Sequence, residues 1–534
     1  MTGFGSLFAW PVYLPGLPQH RCLASIAEND LGAFGRATYP AWVTFEQPAA
    51  LDGSPASRRR PQDDARPQLA DLGRLGRRAV RRVVSAARAE ESIPKNVLAG
   101  RLGLSAAELP VARGRWLGYD QVNVQVALDA WLAEPGREHE IVGLTGSQYQ
   151  GIGLADLSQP PSWLEVSVGA ITTTARQCAP GGVTRPCVCH ALYLVTDQDG
   201  PLALLIDGPE EASSMERVAV EVACGDAARG QRVIEEIRRL SISRNVYRGH
   251  VLAFGTDVFG QEATLLSFLD RPTVRRDEVV LPADVLDGIE DQVVGIARHA
   301  DRLLASGQHL KRGVLLHGVP GTGKTHTVGY LLGQLPGVTV VVLTGATLRR
   351  IADACSIARS LQPSVVVVED VDLIAEEREA GPIGTHPLLF QLLNEMEGLG
   401  SDMDVTFLLT TNRADLLEPA LAQRPGRVDH AVLLPLPDAD ARRQLIALYR
   451  GNLELAMADP DVVIARTEGV TAPFIKELLR RSALRAAREA NAGGGPLRVT
   501  DAHLSAALDQ LLDARNQLTK VLLGGERISA DDAD

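Results

Sequence analysis

The chain has 534 residues, 45% hydrophobic and 22% charged, with a net charge of −12 at pH 7. That length exceeds one core and predicts two or three domains, while the acidic balance argues against a general nucleic-acid binder, which needs basic surface. Six unevenly spaced cysteines form no disulfide framework and point to a reducing, cytoplasmic setting.

From the N-terminus, Phe4 to Leu17 is apolar, but Pro11 and Pro15 interrupt it and no basic residue precedes it. This fits neither a signal peptide nor a membrane span, and no other apolar run is long enough to cross a bilayer. Residues 1–91 read as a poorly ordered segment, a linker rich in Pro, Ser, Asp and Arg, and an arginine-rich helix. Between Ser57 and Ala89 there are ten arginines and three aspartates, net +7. A solvated helix face or a contact to an acidic surface is the favoured reading, and a nucleic-acid or anionic-membrane contact is the alternative.

Residues 92–265 read as a mixed α+β recognition domain. Helices are expected at Asn123–Leu132 and Gly230–Leu240. Strands are expected at Leu164–Thr173, His190–Thr196, Leu202–Ile206 and Val218–Val222, with a turn at Asp197–Gly200. Cys178, Cys187, Cys189 and His190 place four potential zinc ligands in 13 residues. The Cys-x-Cys-His spacing departs from the two-residue spacing of zinc knuckles, so ordinary thiols are favoured over a metal site. Residues 272–436 alternate strands and helices, 437–523 read as helical, and 524–534 as an acidic tail without order.

The chemistry centres on Gly318, Val319, Pro320, Gly321, Thr322, Gly323, Lys324 and Thr325, a phosphate-binding loop between the strand Gly313–His317 and a helix Thr325–Leu335 that begins with Thr325 and His326. Glycines let backbone N–H groups approach phosphates, Lys324 reaches the β- and γ-phosphates, and the Thr325 hydroxyl suits Mg²⁺. The helix N-terminus adds positive potential beneath the anion. Val365–Val368 reads as a buried strand ending in Glu369, Asp370 and Asp372. Carboxylates there suit metal and water management, with Glu369 assigned to Mg²⁺ and Asp370 to activation of the attacking water. A third strand, Val405–Leu409, runs into Thr410, Thr411 and Asn412, whose amide can help hold that water. Arg424 and Arg427 flank a Pro-Gly turn and suit arginine fingers donated to a neighbouring subunit.

In order and spacing these motifs resemble the AAA+ ATPases, and within them the AAA clade, over residues 272–520. The resemblance implies an α/β P-loop NTPase (AAA+) core with an α-helical lid, preceded by the mixed α+β domain. It implies ATP and Mg²⁺ as ligands, Asn412 as sensor 1, Arg424 and Arg427 as fingers, and a ring, expected to be a homo-hexamer. The acidic strand end and the Arg-Pro-Gly-Arg-Val-Asp run are similar to the mitochondrial Rieske-protein translocase branch. Two departures bear on mechanism. Glu369-Asp370 reverses the usual Asp-Glu order, which shortens the water-activating side chain by one methylene and allows slow turnover. The stretch Gly345–Pro363 has no aromatic residue, and Leu348, Arg349 and Arg350 are poor substitutes for a pore-loop grip. The expected function is ATP-driven remodelling of an unidentified protein client without aromatic threading. An ATP-controlled oligomeric switch is the alternative, and a nucleic-acid motor is less favoured.

Overall fold

A computed structural model describes residues 94–102, 109–145, 152–159, 166–210, 217–256, 262–373, 387–398, 400, 402–415, 428–489 and 495–513. The expected N-terminal segment, linker and arginine-rich helix within 1–91, and the acidic tail 524–534, lie outside the described residues.

The first sheet joins β1 (Val111–Leu117), β2 (Glu138–Thr145), β3 (Ser167–Gly169), β4 (Thr172–Ala179), β5 (Val183–Asp197), β6 (Gly200–Asp207) and β7 (Arg217–Cys224). Its order is β1-β7-β6-β5-β2-β3, with β4 pairing β5, and every pairing is antiparallel. Asp197 pairs with Gly200 across the expected turn, and Gly200 has φ of +101°, the conformation glycine accommodates without strain. The helices Gln121–Leu132 and Ala227–Ser243 bury their apolar faces on this sheet. Trp131, Leu128 and Ile237 are fully enclosed there. The single strand expected over Leu164–Thr173 is two in the structure. Gly169 approaches Thr145 so closely that a Cβ would lie 2.5 Å from its side chain, and the chain then turns at Ala170 to pair with β5 instead.

The second sheet has the order β14-β10-β13-β12-β11-β8-β9. It contains β8 (Val251–Thr256), β9 (Glu262–Leu269), β10 (Arg312–His317), β11 (Thr339–Leu343), β12 (Ser364–Val368), β13 (Val405–Thr411) and β14 (His430–Leu433). All neighbours are parallel except the β8–β9 hairpin. Strands β12 and β13 are buried along their whole length, which is why they read as unbroken apolar runs rather than alternations. The expected boundary between residues 265 and 272 is corrected by this pairing. Residues 251–269 hydrogen-bond to the ATPase-side sheet, covering the edge of β11 that would otherwise present unpaired backbone groups.

The two sheets share one continuous core at their junction. Tyr119 and Tyr247 from the first unit pack with Leu252, Phe254, Ile351 and Leu361 of the second. Tyr247 donates its hydroxyl to the Tyr119 carbonyl at 2.6 Å, and Phe268 N–H donates to Gln177 Oε1 at 3.3 Å. Beyond Pro437, the helices Ala439–Tyr449, Pro460–Arg466, Ala472–Glu489 and Asp501–Leu512 form a separate helical cluster. It also carries a two-stranded pair, β15 (Glu454–Ala456) and β16 (Arg498–Thr500), inside the segment expected to be helical. No helix among the described residues is long and apolar enough to cross a membrane.

Candidate active site

The C-terminal ends of β10, β12 and β13 lie side by side, so the phosphate loop, the acidic strand end and Asn412 meet at one edge of the parallel sheet. Between β10 and the helix Lys324–Gly333, the loop turns through Gly318, Gly321 and Gly323, whose φ angles are +149°, +85° and +96°. Gly318 is the most constrained of these. A Cβ there would stand 2.5 Å from the Leu434 carbonyl oxygen, so no larger residue fits without moving β14. Thr322 ties the loop to itself by donating to the Val319 carbonyl at 3.0 Å.

Lys324 is 6% exposed, and its Nζ donates to the carbonyls of Gly318 and Val319 at 2.7 and 3.1 Å. Burial lowers its pKa, while Asp370 and Asp372 oppose that shift. The ammonium is thus held over the loop, desolvated and bonded to neutral carbonyls that an incoming phosphate can replace. Thr325 follows at the first helical turn, its hydroxyl beside the Glu369 carboxylate, whose pKa it lowers. These two are the side chains expected to hold Mg²⁺, and a hydroxyl beside a carboxylate is the oxygen donor set such an ion prefers. His326 faces outward, its Nε2 at 3.1 Å from the Glu278 carbonyl oxygen.

Glu369 and Asp370 both have raised pKa values, chiefly from burial, with a neighbouring carboxylate adding to each shift. Asp370 has φ of +52°, the one positive value at a non-glycine among the described residues. That left-handed turn costs about 1 kcal/mol or more. Its N–H donates to Thr410 Oγ1 at 3.1 Å, and its carboxylate accepts from Asn412 Nδ2, also at 3.1 Å. Strands β12 and β13 therefore present Asp370 and Asn412 as a bonded pair.

Sequence reasoning gave no role to Asp372. It is 7% exposed and accepts from Thr411 Oγ1 at 2.8 Å and from the Asn412 N–H at 3.2 Å. It thereby fixes the backbone from which the Asn412 amide projects. Its place in the acidic run was visible, but its partner lies 39 residues away. Arg424 and Arg427 lie outside the described residues. Asp429 just beyond them exchanges two bonds with Gly313, each 2.9 Å, which anchors the start of β14 to β10.

A cavity of about 670 Å³ opens beside Gly321 and His326, walled by Val279, Val280, Leu445 and Tyr449. Its size and mixed lining suit a nucleoside. Val294 does not line it, being buried in the same core cluster as Leu316 and Val328. Leu348 is also buried, and Arg350 bonds Asp353 at 2.9 Å while lying over the Phe254 ring at 5.3 Å. In the first unit, Cys178 Sγ, Cys187 Sγ and Cys189 Sγ each donate to a backbone carbonyl, and His190 Nδ1 meets Asp207 at 2.8 Å. Burial pushes the Cys187 thiol up to about 12. Among the described residues no group of three or more His, Cys, Asp or Glu side chains is placed to hold a metal ion.

A glycine-rich loop feeding a helix from a parallel sheet, with acids at the end of the next strand but one, defines a P-loop NTPase. The family model for the ATPase family associated with various cellular activities (AAA) matches residues 314–436, so this part of the chain is an AAA ATPase domain, of a family that uses ATP with Mg²⁺. The chain is 32% identical over 244 residues to the ATP-dependent zinc metalloprotease FtsH 3 of Symbiobacterium thermophilum, covering 43% of this chain and 38% of that protein. It is 31% identical over 275 residues to FtsH 3 of Sphaerobacter thermophilus, covering 48% and 54%, and 30% identical to FtsH of Mycobacterium tuberculosis, covering 46% and 33%. The chain thus spans only about a third to a half of the length of these relatives.

Proposed function

We propose that this chain is a Mg²⁺-dependent ATPase that assembles into a ring, expected to be a homo-hexamer, and remodels a protein client without aromatic threading. The observation that carries the reading is the bonded Asp370–Asn412 pair beside a buried Lys324 at the mouth of the phosphate loop. In this reading the loop amides and Lys324 hold the triphosphate, and Thr325 with Glu369 holds Mg²⁺, which would neutralise the charge developing on the phosphates. Asp370 takes the proton of the attacking water, Asn412 orients that water, and Arg424 and Arg427 reach the γ-phosphate of a neighbouring subunit. Residues 92–250 recognise the client, and residues 437–523 act as the lid over the nucleoside cavity.

The absence of threading is supported by Leu348 and Arg350. Both are engaged by the body of the protein rather than extended from it. Proteolysis, named for the FtsH relatives, is not carried over. The 534 residues contain no His-Glu-x-x-His zinc signature. A second reading, an ATP-controlled assembly switch, is favoured by the short Asp370 carboxylate and its engagement with Asn412. Comparing turnover with and without cell-extract fractions, at fixed enzyme concentration, separates the two. Remodelling predicts a fraction that accelerates ATP hydrolysis several-fold. A rate that responds only to enzyme concentration sinks the remodelling reading and favours the switch.

A further inference from the structure

At the junction of the two units lies a cleft of about 350 Å³, away from the phosphate loop. Its rim carries Arg115, Arg217 and Arg238. Strands β1 and β7 pair Leu117 with Arg217 and Arg115 with Ala219, so by the two-residue alternation Arg115 and Arg217 project from one face. Arg238 comes to the opening around the edge strand β1 from the sheet's other face, where the helix Ala227–Ser243 packs with Trp116. Its guanidinium lies 4.9 Å from the Trp116 ring centroid and donates to the Arg115 carbonyl at 3.5 Å. Among the described residues none of the three has a carboxylate partner within salt-bridge distance. The one acid lining the cleft, Asp120, is hydrogen-bonded to Asn123 at 3.0 Å, and burial pushes it up to about 6. Three positive charges around one opening repel each other, and a bound anion offsets that repulsion. The opposite wall comes from the other unit and mixes Ser356 and Ser360 with Ile357 and Leu361, on and after the helix Ile351–Ser360.

We propose that this cleft binds a phosphate-bearing small molecule, with Arg115, Arg217 and Arg238 clamping the phosphate and the Ile357–Leu361 wall packing on its body. Planar guanidiniums match phosphate oxygens in pairs, and the cleft volume admits a body the size of a sugar. The bound molecule would bridge the first unit and the helix that follows β11, so it would tie client recognition to the ATPase sheet.

The test uses the full chain loaded with Mg²⁺ and a non-hydrolysable ATP analogue, so that the phosphate loop is filled. Loading is measured first, which keeps a failure of the ATPase reading separate. Inorganic phosphate and glucose 6-phosphate are then titrated by calorimetry at constant ionic strength. Saturable binding of either is expected, weakened roughly tenfold by Arg217→Gln and again by Arg238→Gln. Arg232→Gln, an exposed site on the same helix, should leave it unchanged. Tighter binding of the sugar phosphate identifies a phosphorylated body as the ligand, and equal binding identifies a bare anion. Absence of saturable binding overturns the proposal. So does unchanged affinity in an Arg115→Gln/Arg217→Gln variant whose melting temperature matches the parent.

Discussion

The two sheets treat buried charge in opposite ways. In the antiparallel unit, Glu221 meets Arg113 and the Leu154 N–H, Arg176 meets Gln121 and the Pro209 carbonyl, and Asp207 meets His190. Arg229 bonds Asp197 at 2.6 Å and the Gly200 carbonyl at 2.8 Å, so it staples the β5–β6 hairpin turn. These side chains face fixed partners and hold the unit's shape. At the end of the parallel sheet the balance is different. Lys324 is desolvated against neutral carbonyls, Glu369 and Asp370 resist ionisation, and Asp370 sits in a left-handed backbone conformation. A chain tolerates such strain where a ligand will relieve it, and a triphosphate with Mg²⁺ supplies the charges this edge lacks.

Breaking the strained edge should therefore cost activity, and breaking the satisfied one should cost stability. The largest loss is expected from Arg427→Ala, about 10³-fold in turnover with ATP binding retained. Its decisive form is a mixture: Arg427→Ala combined with Asp370→Asn should regain partial activity, because each supplies what the other lacks at a shared interface. Asp370→Asn alone should lower turnover about 10²-fold while leaving nucleotide affinity within a few-fold. Asp372→Ala should cost roughly tenfold, since it displaces Asn412 without removing a group that touches water or phosphate. A rate equal to that of the parent would mean that Asp372 serves only the fold. Arg229→Gln should leave turnover per folded molecule unchanged and lower stability by about 2–3 kcal/mol in urea melts.

The smallest effects are those of pH. Carboxylates whose folded pKa is raised favour the protonated folded state, so their contribution to stability is present below the ordinary carboxylate range and is lost as pH rises through the folded values. For Asp120 that window runs from 3.8 to about 6, and Asp120→Asn should flatten the fall in stability across it. For Glu369 and Asp370 the sign is the same in the empty protein, with the window starting above 4.5 and 3.8. Their chemistry needs the ionised forms, so turnover should rise with pH over the interval in which the empty protein loses stability. Saturating Mg²⁺ should move that acid limb to lower pH.

Much of the strained edge was legible in the sequence because it is local. Gly318 to Thr325 must take a short path from strand to helix, and Val365–Val368 is too uniformly apolar for anything but a strand buried on both faces. What escaped was non-local. Strand β1, written Val-Ala-Arg-Gly-Arg-Trp-Leu, has a weak alternation that only its pairing with β7 stabilises. The β8–β9 hairpin carries no mark of the sheet it joins, since its register is set by Val340–Val342 some 90 residues away. The partner of Asp372 and the walls of the cavity beside Gly321 escaped for the same reason. Residues such as Val279 and Tyr449 become neighbours only when the helical cluster folds against the sheet.

The most direct test is steady-state ATP hydrolysis across a protein-concentration series, wild type beside Lys324→Ala, Asp370→Asn and Arg427→Ala. A shared, strained active site predicts that wild-type specific activity rises with concentration and that all three variants lose at least about 10²-fold of it. Wild-type protein that binds ATP yet turns it over no faster than Asp370→Asn would contradict it.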